Sequence, residues 1–555
     1  MSQVSHPGLR AARRPRAEWA VAPVLQKMLG SLPVTAEFCR RLGVAEIIDG
    51  LCPMRDVASS RVTHGQVVEA LIANRLTSPR SMVQVSHWAQ EWAVEEVFGI
   101  PAGALGDDRI ARALDAIAPE LDHIVGSIGA RAIDVFGIDV SRMHWDMTSI
   151  SLYGSYEEVD EAFLVPAFGH PKDRRTDLKQ AQTGIGSAGD GGIPLWSKGF
   201  DGNAGEVNQV IAAFTQMQKM ARRQDLLLVG DSKLISYGNV TAMNTAEVRF
   251  VAPLGAARTP SEVFAGLDRS QATKVDYVAE RHKYLPEHRR DTYHVLEGGT
   301  IELTKKGQPD LRCRRVFVYS SANARAQATN RTRKLGKAQP ELEKLARNAG
   351  SRYYPDSDAV AAKLAILTDK YRVGAYLRSA ITTDPNGKPH LQWSFDQAAL
   401  DAEAANDGWY ALITNIPTNR APTAEIFHHY KGQPIAERRY GDLKGPLAVA
   451  PLYLQHNRRI TALVSVICLA LLIYCLIERE ARTNLAPETE IVGFYAYDNR
   501  AVKPTTRLIL DALANMRLIP AQADQPPQVL APNYLQARLL ALLRVDPTRP
   551  RWKAE

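Results

Sequence analysis

Cysteine is scarce in this 555-residue chain: Cys39, Cys52, Cys313, Cys468 and Cys475 are scattered, odd in number and without a Cys-x-x-Cys pair. That argues against a disulfide framework and a thiolate zinc site, and it reads as reduced thiols in a cytoplasmic protein. A large charge imbalance is also lacking. Lys plus Arg number 68 against 60 for Asp plus Glu, a formal net charge of +8, which suits an anionic partner without requiring one. Long apolar runs are nearly absent. The exception is Ile460 to Ile477, uncharged and bounded by Arg458-Arg459 and Glu478-Arg479, at the short limit for crossing a bilayer. Standing alone, it reads as a buried core helix and implies no membrane partner; the anchored alternative predicts sedimentation with membranes. No secretory signal is expected at the N-terminus, because Arg10, Arg13, Arg14 and Arg16 lead into no apolar run with a small-residue cleavage site; residues 1–16 read as a basic flexible arm. No internal repeat is visible.

What is present is ordinary globular material, 45% hydrophobic and 23% charged, long enough for roughly three to four domains. Residues 17–135 carry helical periodicity, as in Val67, Val68, Leu71 and Ile72, with Thr63 and Asp107 as expected N-caps. Near residue 138 the period falls to two. RMHWDMTSISLYG, KQAQTGIGSAG and GIPLWSKGFDG read as three strands of an antiparallel meander. A helix from 206 to 222 follows, then the continuous apolar run DLLLVGDS, which indicates a strand buried on both faces, then a helix and the strand EVRFVAPL. Residues 255–422 break that rhythm with four strand-like runs around a charged helical piece, and read as a mainly β insertion. Residues 423–482 return to helix. Residues 483–555 form a basic, Pro-rich tail with one amphipathic helix, TTRLILDALANM.

Three acids stand on well-defined elements. Asp146 lies mid-strand in HWDMTSI, Asp231 ends the buried strand where open α/β sheets present ligand-binding groups, and Glu437 lies in QPIAERRYGDLKG, a helix expected to begin near Pro434. Carboxylates so placed suit hard divalent cations, and a pair of such ions suits phosphoryl transfer. Taken singly, each acid has a plainer reading: Asp231 as a helix cap, Glu437 as a surface partner of Arg438 or Arg439. The order of elements is that of a ribonuclease H-like fold, an inference by analogy of fold.

The chain resembles DDE transposases of bacterial insertion sequences, in the branch with a Tyr-x2-Arg-x3-Glu-x6-Lys signature and a β-rich insertion before the Glu. Here the signature falls on Tyr430, Gln433, Glu437 and Lys444 in YKGQPIAERRYGDLK, supported by the segments around Asp146 and Asp231, by RRTDLKQ and by GIPLWSKGFDGN. The resemblance covers roughly residues 65 to 480. It implies a ribonuclease H-like α/β core, a mixed five-stranded sheet with helices, at 136–254 and 423–482. The 255–422 insertion domain would interrupt that core, and a helical DNA-end-binding and dimerisation domain at 17–135 would precede it. It implies that Asp146, Asp231 and Glu437 are the catalytic residues and hold two Mg²⁺ ions, for which Mn²⁺ substitutes. One ion would activate water and later a DNA 3′-hydroxyl, while the other stabilises the leaving oxygen. The reaction implied is hydrolysis at the terminal inverted repeats of the element and strand transfer into target DNA, by a homodimer on double-stranded DNA in the bacterial cytoplasm, at the nucleoid. Tyr430, Gln433, Arg438 and Lys444 are the implied DNA contacts. The departure is Gln433 where the signature has Arg: a neutral amide replaces a bidentate cation, leaving Lys431 or Arg438 to compensate. Proline at 434 places Tyr430 and Gln433 in the approach to the helix rather than on it.

Weaker signals accompany these. Trp393 and Trp409 are candidates for stacking a flipped base during hairpin cleavage, or simply core. Arg331, Arg333, Lys334 and Lys337 suit either a DNA backbone or a solvated helix face. His144 suits metal contact or packing, and Gly202-Asn203 a tight turn. The competing functions are a metal-dependent nuclease of the same fold without strand transfer, and a non-catalytic DNA-binding derivative.

Overall fold

The computed structural model describes residues 26–54, 62–157, 159–449, 452, 454–495, 497–522 and 525–549. The expected basic arm, 1–16, lies outside the described residues.

Among the described residues, seven α-helices between Leu32 and Phe136 form the N-terminal module. Thr63 opens the His64–Thr77 helix with a reciprocal box: its hydroxyl accepts from Gln66 N at 3.1 Å, and its own N–H donates to Gln66 Oε1 at 2.9 Å. At the Asp107–Ile117 helix the cap is Gly106, and Asp107 is already inside the first turn.

A nine-stranded mixed sheet forms the centre, ordered Pro194–Phe200, Lys179–Ala188, Arg142–Leu152, Leu227–Val229, Arg249–Pro253, Trp409–Thr414, Leu311–Ser320, Tyr293–Leu303, Thr273–Val275. The first three are antiparallel neighbours, and Arg142–Leu152, Leu227–Val229 and Arg249–Pro253 run parallel. Leu226 to Val229 are all buried, as a strand covered on both faces requires. The turn before the Glu206–Ala221 helix needs glycine at 202, since a Cβ there would lie 2.0 Å from Gln180 O and 2.5 Å from Ala167 O.

The structure corrects the five-stranded expectation. One strand of the 255–422 segment, Trp409–Thr414, pairs with the core strand Arg249–Pro253, Leu412 against Pro253 and Thr414 against Val251, and three more strands of the segment follow it in order, so the insertion prolongs the sheet. Its remainder is not mainly β: the Ser321–Asn348, Ser357–Tyr371 and Gln397–Ala405 helices pack with one separate hairpin, Leu377–Thr383 and Pro389–Phe395.

The Asn457–Leu485 helix is long and apolar enough to cross a membrane, and 94% of its apolar window is buried inside the protein. Buried Asn457 at its start donates to Asp160 O (2.8 Å) and Leu164 O (3.0 Å), tying down the long loop between the first two meander strands. The C-terminal segment is more ordered than a tail with one helix. Arg517–Ile519 pairs with Lys27–Met28 at the start of the N-terminal module, and a second helix, Tyr534–Leu543, packs against Asn457–Leu485.

Candidate functional site

Strand, strand end and two helix starts converge at one end of the meander. Asp146 sits mid-strand with its side chain 12% exposed; its Oδ1 accepts from Met147 N at 2.8 Å and from Lys172 Nζ at 3.2 Å. Asp231 follows the Leu227–Val229 strand and caps a short turn, accepting from Lys233 N at 2.8 Å. It therefore caps that turn and also lies beside other carboxylates. Glu206, the first residue of the Glu206–Ala221 helix, is buried and bonded to Lys233 Nζ at 2.7 Å. Asp146, Glu206 and Asp231 each offer an oxygen within 4.8 Å of the others.

Glu437 is exposed in the Gln433–Lys444 helix and is not part of that tight trio. It still feels the two aspartates. Its carboxyl is raised by loss of water and then by the charge of Asp146, with Asp231 adding to it and Lys172 opposing. Burial and Asp146 likewise raise Asp231 against the Lys233 N–H, and burial, then Asp231 and Asp146, push Glu206 up to about 7 despite Lys233. Clustered carboxylates with raised affinity for protons are unfavourable alone, and a divalent cation with oxygen ligands relieves both the repulsion and the desolvation. The donor set therefore fits such an ion. Lys172 and Lys233 now supply part of the compensating charge.

Tyr440, one turn beyond Glu437, donates its hydroxyl to the Asp146 carbonyl and ties the Glu437 helix to the Asp146 strand. Beneath that helix, fully buried Arg439 bonds Gly192 O (3.0 Å), Gly191 O (2.5 Å) and Asp442 (3.1 Å), and lies 3.5 Å from Glu478. Arg438, half-exposed, pairs with Glu478 at 2.8 Å. Lys444 is exposed at the helix end, within reach of the charges of Asp173 and Lys172. Tyr430 ends the preceding Thr423–Tyr430 helix, its hydroxyl raised by burial and then by Glu437 and Asp231. The approach to Glu437 is thus helical up to Tyr430, and Gln433 begins the next helix.

Gln433 is turned inward. It is 5% exposed and accepts from His144 Nδ1 at 3.0 Å, an interior link rather than an outward-facing contact for phosphate. His144 is a packed, neutral imidazole, pushed down to about 4 by burial. Trp409 is buried against Tyr319, and Trp393 packs edge-on to Phe395 in the separate hairpin. Arg331 pairs with Asp407 and Glu403, while Arg333 and Lys337 are exposed on their helix and Lys334 is half-buried.

Glu206 is the residue that sequence reasoning missed. The available signal was an acid opening a helix directly after the Gly202 turn; the helix could be read from periodicity, whereas the direction of its first side chain could not.

A family profile described as Domain of unknown function (DUF4277) matches residues 24–124, most of the N-terminal module. No curated protein sequence matches the chain. Among solved structures, the chain is similar to the piggyBac transposase synaptic complex with hairpin DNA, at 8% identity over 80% of this chain and 73% of that one, with a TM-score of 0.30. It is also similar to the Mos1 transposase paired-end complex with left transposon end, at 10% identity over 38% of this chain and 63% of that one, with a TM-score of 0.15. Both likenesses are to transposases, and both are too slight to carry a mechanistic argument.

Proposed function

We propose that the chain is a DDE-type DNA transposase with a ribonuclease H-like core, cutting the ends of an insertion sequence and joining them to target DNA. The observation that carries this is that Asp146 and Asp231, far apart in sequence, meet in one carboxylate cluster, and that Glu437 lies close enough for their charges, after burial, to raise its carboxyl. Asp146 and Asp231 are rigidly mounted, by Met147 N and Lys233 N respectively, and Glu437 is carried to them by a helix fixed through Tyr440 and Arg439. In this reading the three carboxylates hold Mg²⁺, with Mn²⁺ as substitute. When bound, the ions supply activation of the attacking hydroxyl and stabilisation of the leaving 3′-oxygen. Lys172 on Asp146 and Lys233 on Glu206 would give up those contacts where an ion is held. In this reading Lys444, Arg438 and Tyr430 contact DNA phosphates and sugars, while Gln433 acts from within, by holding His144 and the helix start. The DNA partners are the element's ends and the target duplex, brought together by a homodimer.

The test is cleavage of a plasmid carrying the gene with its own flanking DNA, in Mg²⁺, by the native protein and by Glu437→Ala. The account expects cuts confined to the element boundaries and a loss of about 10³-fold in the variant. Binding without any cleavage would favour the non-catalytic derivative, and boundary-independent cutting that survives Glu437→Ala would overturn the site.

A further inference from the structure

At the opposite edge of the same parallel strands lies a cavity of about 540 Å³ that the catalytic reading does not use. Arg142 opens the Asp146 strand and Arg249 opens the third parallel strand, and both stand in register with Leu227 between them. Residues in one row point to one face, so the two guanidinium groups start about 10 Å apart on the same side of the sheet. Arg420, in the loop after Trp409–Thr414, closes the cavity from the side.

The charge pattern singles out these three. The acids of the cavity are already engaged: Asp225 by Arg223 (3.1 Å), Asp190 by Arg479 from outside (2.6 Å), Asp139 by Ser141 N (2.9 Å) and Oγ (3.0 Å), Glu425 by His429 (3.5 Å). Among the described residues, Arg142, Arg249 and Arg420 make no side-chain hydrogen bond or close ion pair; Arg142 and Arg249 act on Asp139 and Asp225 only through space, and Arg142 Nε is buried without a partner. A buried guanidinium N–H left unpaired is costly, and an oxyanion with several acceptor oxygens satisfies it best.

We propose that this cavity binds a phosphate of a nucleic-acid backbone through Arg142, Arg249 and Arg420. Resting on the DNA reading above, this places a second backbone contact on the face that carries Asp146. Arg142 and Asp146 are four residues apart on one strand and point the same way, so the contact lies about 13 Å from the acids.

The experiment measures duplex DNA binding by the full-length protein against salt, without divalent cation, for the native chain, Arg142→Gln/Arg249→Gln and the exposed-site variant Arg420→Gln, with thermal melts as a control for folding. Titration with pyrophosphate runs in parallel. The proposal expects the slope of log K against log salt to fall by about 0.9 for each phosphate contact removed, and pyrophosphate to compete with DNA for the native protein only. Pyrophosphate binding with unchanged DNA slopes would mean a free-phosphate site and would overturn the nucleic-acid assignment. Unchanged slopes in folded variants with no pyrophosphate binding would overturn the site altogether, while leaving the transposase reading intact. If the native protein binds no DNA, that reading fails first.

Discussion

His144 shows how one side chain couples the Asp146 strand to the Glu437 helix. Its Nδ1 donates to Gln433, and Gly432 lies so close that a Cβ there would come within 3.0 Å of the ring. Burial holds its pKa near 4 instead of 6.5. Below pH 6.5 the unfolded chain takes up a proton that the folded chain refuses, so stability falls as pH drops from about 6.5 towards 4, by up to roughly 3 kcal/mol. Denaturant titrations across that window should show this loss in the native protein and a flatter profile in His144→Asn; identical profiles would remove His144 from the explanation. Glu206 makes a second prediction at this scale. Its oxygen shares the space between Asp146 and Asp231, so Glu206→Gln should weaken Mn²⁺ binding by about 10- to 100-fold in calorimetry without unfolding the protein. Packing was one of the two readings open for His144, but its link to Gln433 and the place of Glu206 were not legible, because both depend on which way a side chain points after long-range packing. The strand placement of Asp146 and the strand-end placement of Asp231 were legible, since alternation and an apolar run report them directly.

The element that matters most is the Gln433–Lys444 helix, mounted by buried groups rather than by its exposed acid. Arg439→Ala would strip a buried cation from Asp442, Glu478 and two carbonyls, and should cost about 3 to 5 kcal/mol in chemical denaturation. A cost under about 1 kcal/mol, the worth of an exposed pair, would mean the helix is held some other way. Gln433→Arg, which restores the signature residue, puts a larger charged group where only 5% of the glutamine is exposed. It should lower the melting temperature and leave cleavage no faster; a faster, equally stable variant would show that position 433 faces DNA. The proline at 434 signals the helix start correctly, but its rule alone puts Tyr430 and Gln433 outside helix. The preference before proline falls on Gln433, which is nonetheless the first residue of the helix, because a proline in the first turn removes no intrahelical hydrogen bond; the turn at Lys431 and Gly432 separates this helix from the one before it.

At the scale of the molecule, two long-range pairings tie the chain into one body. Insertion strands continue the core sheet, and the C-terminal Arg517–Ile519 strand closes on Lys27–Met28. Periodicity identifies strands and says nothing of their partners, which is why the insertion reads from sequence as a separate domain and the C-terminus as a tail. Thr506 within that C-terminal segment bonds Tyr474 O and Glu478, the same Glu478 that holds Arg438 and Arg439. Deleting residues 503–555 should therefore broaden the unfolding transition and impair cleavage together, readable by circular dichroism and the plasmid assay. A truncated protein with a native melt would contradict that coupling.

The central claim is that Asp146, Asp231 and Glu437 surround a divalent-cation site. Anomalous diffraction from crystals grown with Mn²⁺ tests it most directly. The account predicts a peak among the Asp146, Asp231 and Glu437 carboxylates, with Lys172 no longer on Asp146. A well-ordered cluster in saturating Mn²⁺, with no peak and both lysines still seated on their carboxylates, would contradict it.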